Sequence, residues 1–163
     1  MWDIQLFKLN FDNREEEAVA KVVSDGWLSM GKKILDFESS FEDMLAEQSN
    51  CSAVTNCTAA LHLALLALNV KKGDEVIIPA LTFIADANVV NIVGATPIIA
   101  DSASTDDWNM SVENIEAKIT ELTKVVIVVH YAGYPCKDIR RITELCKDRG
   151  ISCGTQIADC NSN

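Results

Sequence analysis

The sequence lacks the short glycine-rich signatures of the large nucleotide-binding classes. It contains no Gly-x-x-x-x-Gly-Lys-[Ser/Thr] loop and no Gly-x-Gly-x-x-Gly segment, which weakens a P-loop or dinucleotide-binding interpretation. Positive charge is also scarce, because 14 Lys and Arg stand against 24 Asp and Glu, for a formal net charge of -10. That balance argues against electrostatic binding to nucleic acid or to an anionic membrane surface. It does not exclude small anionic ligands, which backbone N–H groups can bind locally.

Long apolar runs, a leader segment and paired cysteine motifs are missing as well. The run at 125–129, "VVIVV", is far too short to span a bilayer, and the first residues show no signal-peptide pattern. Six cysteines occur without a Cys-x-x-Cys pair, so we interpret them as free thiols of a cytoplasmic protein. A zinc site that combines cysteine with His62 or His130 has no supporting spacing, and we predict no metal.

What the sequence does contain is a regular alternation of helical and strand patterns over 163 residues, with 48% hydrophobic composition. Strand and helix in alternation predict a three-layer α/β/α fold with a mostly parallel sheet, in which ligands bind at the carboxyl ends of the strands. The predicted helices cover 14–25, 32–48, a stretch opening at 57, 82–94, 111–119 and 137–150. The predicted strands cover 52–56, the end of 73–79, 96–101 and the apolar part of 124–133.

The segment Asn-Cys-Thr-Ala at 56–59 joins a predicted strand to an apolar helix. The first turn of a helix has unpaired N–H groups and a partial positive charge, so this position can receive a phosphate. Cys57 and Ala59 would offer backbone N–H groups, and Thr58 could add its hydroxyl. The alternative is that Thr55 or Asn56 simply caps a buried helix.

Two further residues follow predicted strands. Phe83 could form the flat wall of a pocket for a planar ring, or it could be an ordinary core aromatic. His130 ends the most apolar strand and could hydrogen-bond a ligand, although a single histidine is more often a satisfied structural residue. Their shared position at strand ends is the stronger argument.

The chain resembles the N-terminal half of the DegT/StrS-type nucleotide-sugar aminotransferases, which are pyridoxal-phosphate (PLP) enzymes of fold type I. The resemblance runs from about residue 4 to about 151, and we expect residues 1–151 to form a truncated large domain of that fold. It implies that Cys57, Thr58 and Ala59 cradle the cofactor phosphate, that Phe83 stacks on the pyridine ring, and that His130 lies nearby. The matching segments are "GWLSMGKKILDFESSFEDML" (26–45), "NCTAALHLALLALNVKKGDEVIIPALTF" (56–83), "VGATPIIAD" (93–101) and "ELTKVVIVVHYAGYPCKDIRRI" (121–142).

The last residues depart from the family pattern. Relatives continue into a strand ending Glu-Asp, whose Asp pairs with the pyridinium nitrogen, whereas this chain reads "SCGTQIADCNSN". Asp159 only faintly matches that Asp and arrives several residues late. We therefore expect 152–163 to be a divergent tail that does not form the family's next central strand in its usual register. None of the ten lysines stands at the family's Schiff-base position.

These observations lead to an expected function and two alternatives. We expect a truncated sugar aminotransferase that is inactive alone, binds PLP weakly or not at all, and forms a homo-oligomer, most simply a dimer. The ancestral reaction would transfer an amino group, usually from glutamate, to a keto-sugar nucleotide. The alternatives are a non-enzymatic oligomeric binding module built on the same half-domain, and an unrelated small α/β nucleotide-binding domain.

Overall fold

The computed structural model describes residues 9–45 and 50–157, and it divides the chain into two compact units, Met1–Thr55 and Asn56–Asn163. Within the described ranges, no helix is both long enough and apolar enough to cross a membrane.

The first unit contains two helices, α1 (Asn13–Asp25) and α2 (Lys32–Met44). Helix α1 begins with a capping box: the Asp12 carboxylate accepts from the Arg14 N–H at 2.8 Å, and Glu15 accepts from the Asp12 N–H at 2.8 Å. Such reciprocal caps satisfy N–H groups that the first turn leaves unpaired. Neither helix has a buried side chain. Their amphipathic patterns therefore form apolar stripes that remain exposed.

The predicted strand at 52–56 is wrong. Residues 50–54 have no regular secondary structure, and their backbone is held by carboxylates of α2. Glu42 accepts from the Cys51 N–H and Glu38 from the Ala53 N–H, both at 2.7 Å. Side-chain acceptors thus take the place of a neighbouring strand.

The second unit is a three-layer α/β/α domain around four parallel strands in the order β2-β1-β3-β4. Strand residues alternate between two hydrophobic clusters, one on each face of the sheet: Ile77 and Val126 pack on the face of α5 and α6, whereas Val76 and Val125 pack on the face of α3 and α4. The predicted fold class is confirmed. The elements are α3 (Cys57–Ala67), β1 (Glu75–Pro79), α4 (Ala85–Ile92), β2 (Thr96–Ala100), α5 (Val112–Glu116), β3 (Thr123–His130), a 3-10 turn (Tyr131–Gly133), α6 (Ile139–Arg149) and β4 (Ser152–Ile157).

Helix α3 is less enclosed than its apolar sequence predicts. Leu65 is its only buried residue, and it packs in the cluster that faces α4 and the sheet. Leu63, Leu66 and Leu68 are 53%, 49% and 38% exposed. The expectation of a buried helix is therefore wrong for most of α3, because nothing in the described residues covers its outer face.

The tail departs in part from its expectation, because it does form a strand beside 125–129, although that strand lies at the edge of the described sheet and not between two strands. Residues 152–157 form β4, which pairs in parallel with β3 from Val125↔Ser152 to His130↔Ile157. The backbone ladder tolerates Gly154 and the polar residues because β3 provides a continuous partner. Asp159 lies outside the described residues.

Candidate functional site

The N-terminus of α3 is built around the cap of Asn56. Its side-chain oxygen accepts from the Ala59 N–H at 2.9 Å, and its carbonyl accepts from the Ala60 N–H at 3.2 Å. In the described part of the chain, the N–H groups of Cys57 and Thr58 donate to no protein acceptor. The cap therefore engages the Ala59 N–H and leaves the N–H groups of Cys57 and Thr58 at the positive end of the helix dipole, a position that favours an anion.

Phe83 lies in the loop between β1 and α4 and is 67% exposed. It is not a core aromatic in this chain, so one ring face is available for a planar ligand. The preceding Thr82 donates its hydroxyl to Asp86, which anchors this loop to the first turn of α4. Phe83 is thus held on a fixed segment at the carboxyl end of a central strand.

Asp86 is a functional candidate that the sequence analysis missed. It is fully buried, and burial raises the pKa of its carboxyl group, while the hydrogen bond from Thr82 acts in the opposite direction. Its second oxygen, Oδ1, has no partner among the described residues. Burial, and after it the charge of Asp86, raises the pKa of the Cys57 thiol at the first turn of α3. An acidic residue within the apolar run "ADANVV" is the signal that could have revealed it.

Replacing Asp86 with asparagine is expected to remove a pH-dependent loss of stability. The raised pKa means that the folded chain keeps this proton at pH values where the unfolded chain, with a pKa near ~3.9, has released it. The contribution of Asp86 to stability should therefore fall as pH rises above about 4, through the folded-state pKa, so the variant should gain stability relative to wild type over that range.

Urea denaturation at a series of pH values from acidic to neutral measures this difference. Asp148→Asn, at an exposed position of α6, is the matched control and should follow the wild-type curve. A variant whose stability changes with pH in parallel with wild type would show that Asp86 is not the group concerned.

His130 ends β3 and is oriented by the chain that follows it. Its Nδ1 accepts from the Cys136 N–H at 3.0 Å, so a proton on the neutral ring sits at Nε2. The next residue, Tyr131, donates its N–H to the Asn109 side chain at 3.1 Å, and the Asn109 amide donates to the Tyr134 carbonyl at 3.3 Å. Buried Asn109 thereby fixes the loop behind His130, a role the sequence analysis did not anticipate.

An aromatic cavity of about 490 Å³ lies beside this loop. Trp108 and Tyr131 meet edge to face with their ring centroids 5.6 Å apart, and Asp107 forms an ion pair with Lys137 at 2.8 Å along the wall. Trp108 is more than half exposed. The sequence analysis did not single out these residues, because they come together only through the folding of two loops.

The parallel register brings the predicted residues to one edge of the sheet. Strands β1 and β3 run in the same direction, so the Phe83 loop and His130 both follow carboxyl ends. Cys57 lines one cavity with Gln156, which lies near the carboxyl end of β4. The arrangement combines an anion-binding helix terminus, an exposed aromatic face and polar groups, which suits a small phosphorylated ligand with a planar ring.

Known proteins match this chain over most of its length. GDP-perosamine synthase of Escherichia coli O157:H7 is 43% identical over 152 residues, which cover 91% of this chain and 40% of that protein. The crystal structure of the aminotransferase TlmJ from Streptoalloteichus hindustanus matches with a TM-score of 0.86 and 32% identity, covering 96% of this chain and 42% of that one. An aminotransferase from Psychrobacter cryohalolentis matches with a TM-score of 0.82 and 34% identity, covering 91% and 38%.

The chain thus spans about two fifths of the length of these relatives. The profile of the DegT/DnrJ/EryC1/StrS aminotransferase family matches residues 10–160, nearly the whole sequence. Because the match covers nearly the whole sequence, the chain belongs to the DegT/DnrJ/EryC1/StrS aminotransferase family.

Proposed function

We propose that residues 56–157 form the cofactor-binding part of a PLP-dependent sugar aminotransferase, and that this chain alone binds PLP weakly and reversibly. The observation that carries the proposal is the α3 terminus, with the N–H groups of Cys57 and Thr58 unengaged in the described residues, at the same sheet edge as exposed Phe83. These groups fit the phosphate and the ring of PLP respectively. When bound, PLP supplies an electron sink for amino transfer.

In this proposal each residue has a limited role. Cys57 and Thr58 bind the phosphate, Phe83 orients the ring by stacking, and His130 presents an Nε2–H near the sheet edge. No lysine of this chain stands at the position that holds the cofactor covalently in the family it resembles. Binding therefore rests on non-covalent contacts alone, which is why we expect it to be reversible.

Replacing Phe83 with alanine is expected to weaken PLP binding about three- to tenfold. This factor corresponds to the free energy that one aromatic stacking pair usually contributes. Equilibrium dialysis and the absorbance spectrum of PLP measure the affinity. Phe37→Ala is the matched control, because Phe37 is 58% exposed on α2 and has no place in the site. Equal affinity in both variants would contradict the stacking role, and PLP that resists dialysis would show that one of the lysines has become covalently attached.

We propose further that the chain associates with a second copy of itself. The apolar faces of α1, α2 and α3 are exposed, with Phe41 at 45% and Leu63 at 53%, and soluble monomers rarely leave such surface uncovered. Light scattering should give a mass near twice 17.8 kDa, and Leu63→Gln should shift the equilibrium toward the monomer. A wild-type monomer at high concentration would contradict this proposal.

The exposed apolar surface also supports the second candidate function, an oligomeric binding module without catalysis. The PLP titration distinguishes the two, since the module would associate without binding cofactor. Both proposals include a cytoplasmic location. The five cysteines of the described residues form no disulfide, which fits a reducing compartment.

A further inference from the structure

Gln156 is the second residue with a buried oxygen that lacks a partner in the described part of the chain. It lies on β4, paired through its Cα with Val129 of β3, one residue before the carboxyl end of that strand. Burying a polar atom without a hydrogen bond is unfavourable, so native structures keep few of them, and each calls for an explanation.

The surroundings of Gln156 resemble a ligand site more than a core. It lines a cavity of about 340 Å³ together with Cys57 at the start of α3, apolar α3 residues such as Leu61, and Val125 and Ile127 of β3. A volume of this size, with apolar walls and few polar groups, lies at the lower end of small-molecule sites. The cavity joins Gln156 to the same helix terminus that carries the proposed phosphate site.

We propose that Gln156 is the side chain that hydrogen-bonds the ring nitrogen of the heteroaromatic cofactor, in place of Asp159. This inference rests on the proposed PLP binding. In this arrangement the N-terminus of α3 binds the phosphate end of the ligand. Gln156 of β4 lines the same cavity, and its side chain hydrogen-bonds the ring. Asp159 lies three positions further along the chain.

An amide changes what this contact can do. A carboxylate only accepts, and its charge favours a protonated ring nitrogen, whereas Gln156 can accept through Oε1 or donate through Nε2 after rotation of its amide. Gln156 therefore binds the ring nitrogen in either protonation state without holding it positively charged. In this chain the residue acts in binding and orientation and gives little support to an electron sink.

Two probes and two variants test the assignment. The probes are PLP and its 1-deaza analogue, in which carbon replaces the ring nitrogen. Wild type should bind PLP about three- to tenfold more tightly than the analogue, because one neutral hydrogen bond usually contributes a factor of this size to affinity. Gln156→Leu should bind both probes with equal affinity and should unfold at no lower temperature than wild type, because the unpaired oxygen is gone. Asp159→Asn should keep the wild-type preference for PLP.

The outcomes separate this inference from the proposed function. Loss of the preference in Asp159→Asn, with its retention in Gln156→Leu, would assign the ring nitrogen to Asp159 and overturn the inference alone. Binding of PLP that depends on Phe83 but shows no preference over the analogue in wild type would also overturn it alone. Absence of any PLP binding to the wild-type chain would overturn the inference and the proposed function together.

Discussion

Replacing Ile77 with alanine is expected to lower the free energy of unfolding by about 2–5 kcal/mol, the range observed for large-to-small changes in close-packed cores. Ile77 is fully buried on the central strand β1, between strands on both sides and under α5 and α6. The loss has two parts, the missing apolar burial and the cavity that a rigid parallel sheet cannot close. Urea denaturation followed by circular dichroism measures it.

Ile99→Ala is the matched control for that experiment. Ile99 lies on the neighbouring strand β2 and is 58% exposed, so its truncation should cost less than about 1 kcal/mol. If Ile77→Ala does not fold, Ile77→Val should still lose about 0.5–1.5 kcal/mol. Equal losses at the two positions would mean that β1 is not the centre of the sheet.

A protein of these 163 residues is expected to transfer no amino group from glutamate to a keto-sugar nucleotide beyond the rate of free PLP in solution. Covalent catalysis of this kind needs a lysine nucleophile at a defined position, and none of the ten lysines stands there. The assay mixes the purified chain with PLP, glutamate and the keto-sugar nucleotide and follows the 2-oxo acid that is released.

GDP-perosamine synthase of Escherichia coli O157:H7, purified in the same way, serves as the positive control for the assay. Turnover by the short chain that disappears in Phe83→Ala would contradict the prediction, because it would tie the activity to this site. Turnover unaffected by Phe83→Ala would point to a contaminating host enzyme.

Local patterns predicted most of the second unit. Apolar strand patterns and helix boundary signals marked β1, β2, β3 and α6 to within a few residues. The predicted helix at 111–119 begins at α5, where Ser111 caps the first turn by accepting from the Asn114 N–H at 3.2 Å. These elements follow from signals close in sequence, namely periodicity, caps and glycine stops. The three-layer arrangement followed from their order.

The wrong predictions concern segments whose secondary structure is determined by contacts with residues distant in the sequence. The segment at 52–54 looked like a strand but is held by Glu38 and Glu42 from the preceding helix. The segment 152–157 looked too polar for a strand, yet the exposed edge of β3 pairs with it. In both cases the partner of the backbone N–H groups determined the structure, and neither partner is visible in a local window.

The candidate site was predictable only in part. The Asn-Cys-Thr-Ala terminus and Phe83 stood out because each follows a predicted strand, although the strand before Asn56 is absent. The structure places Phe83 after β1, and it places Cys57 in one cavity with Gln156 of β4. Asp86 and Gln156 were missed, because a single polar residue within an apolar run shows its importance only when burial and missing partners are known. That kind of signal exists in three dimensions and not in the sequence pattern.

The strand order β2-β1-β3-β4 makes β2 and β4 the edge strands of the described sheet, and these two edges differ in their capacity to pair with another strand. Outer strand β2 carries Pro97, which has no N–H to offer a neighbour, and such residues discourage pairing between molecules. Outer strand β4, "SCGTQI", has neither proline nor charge, and in the described residues only β3 pairs with it. On heating or at high concentration, growth into intermolecular sheets would therefore be directional, with β4 as the template and β2 as the terminus.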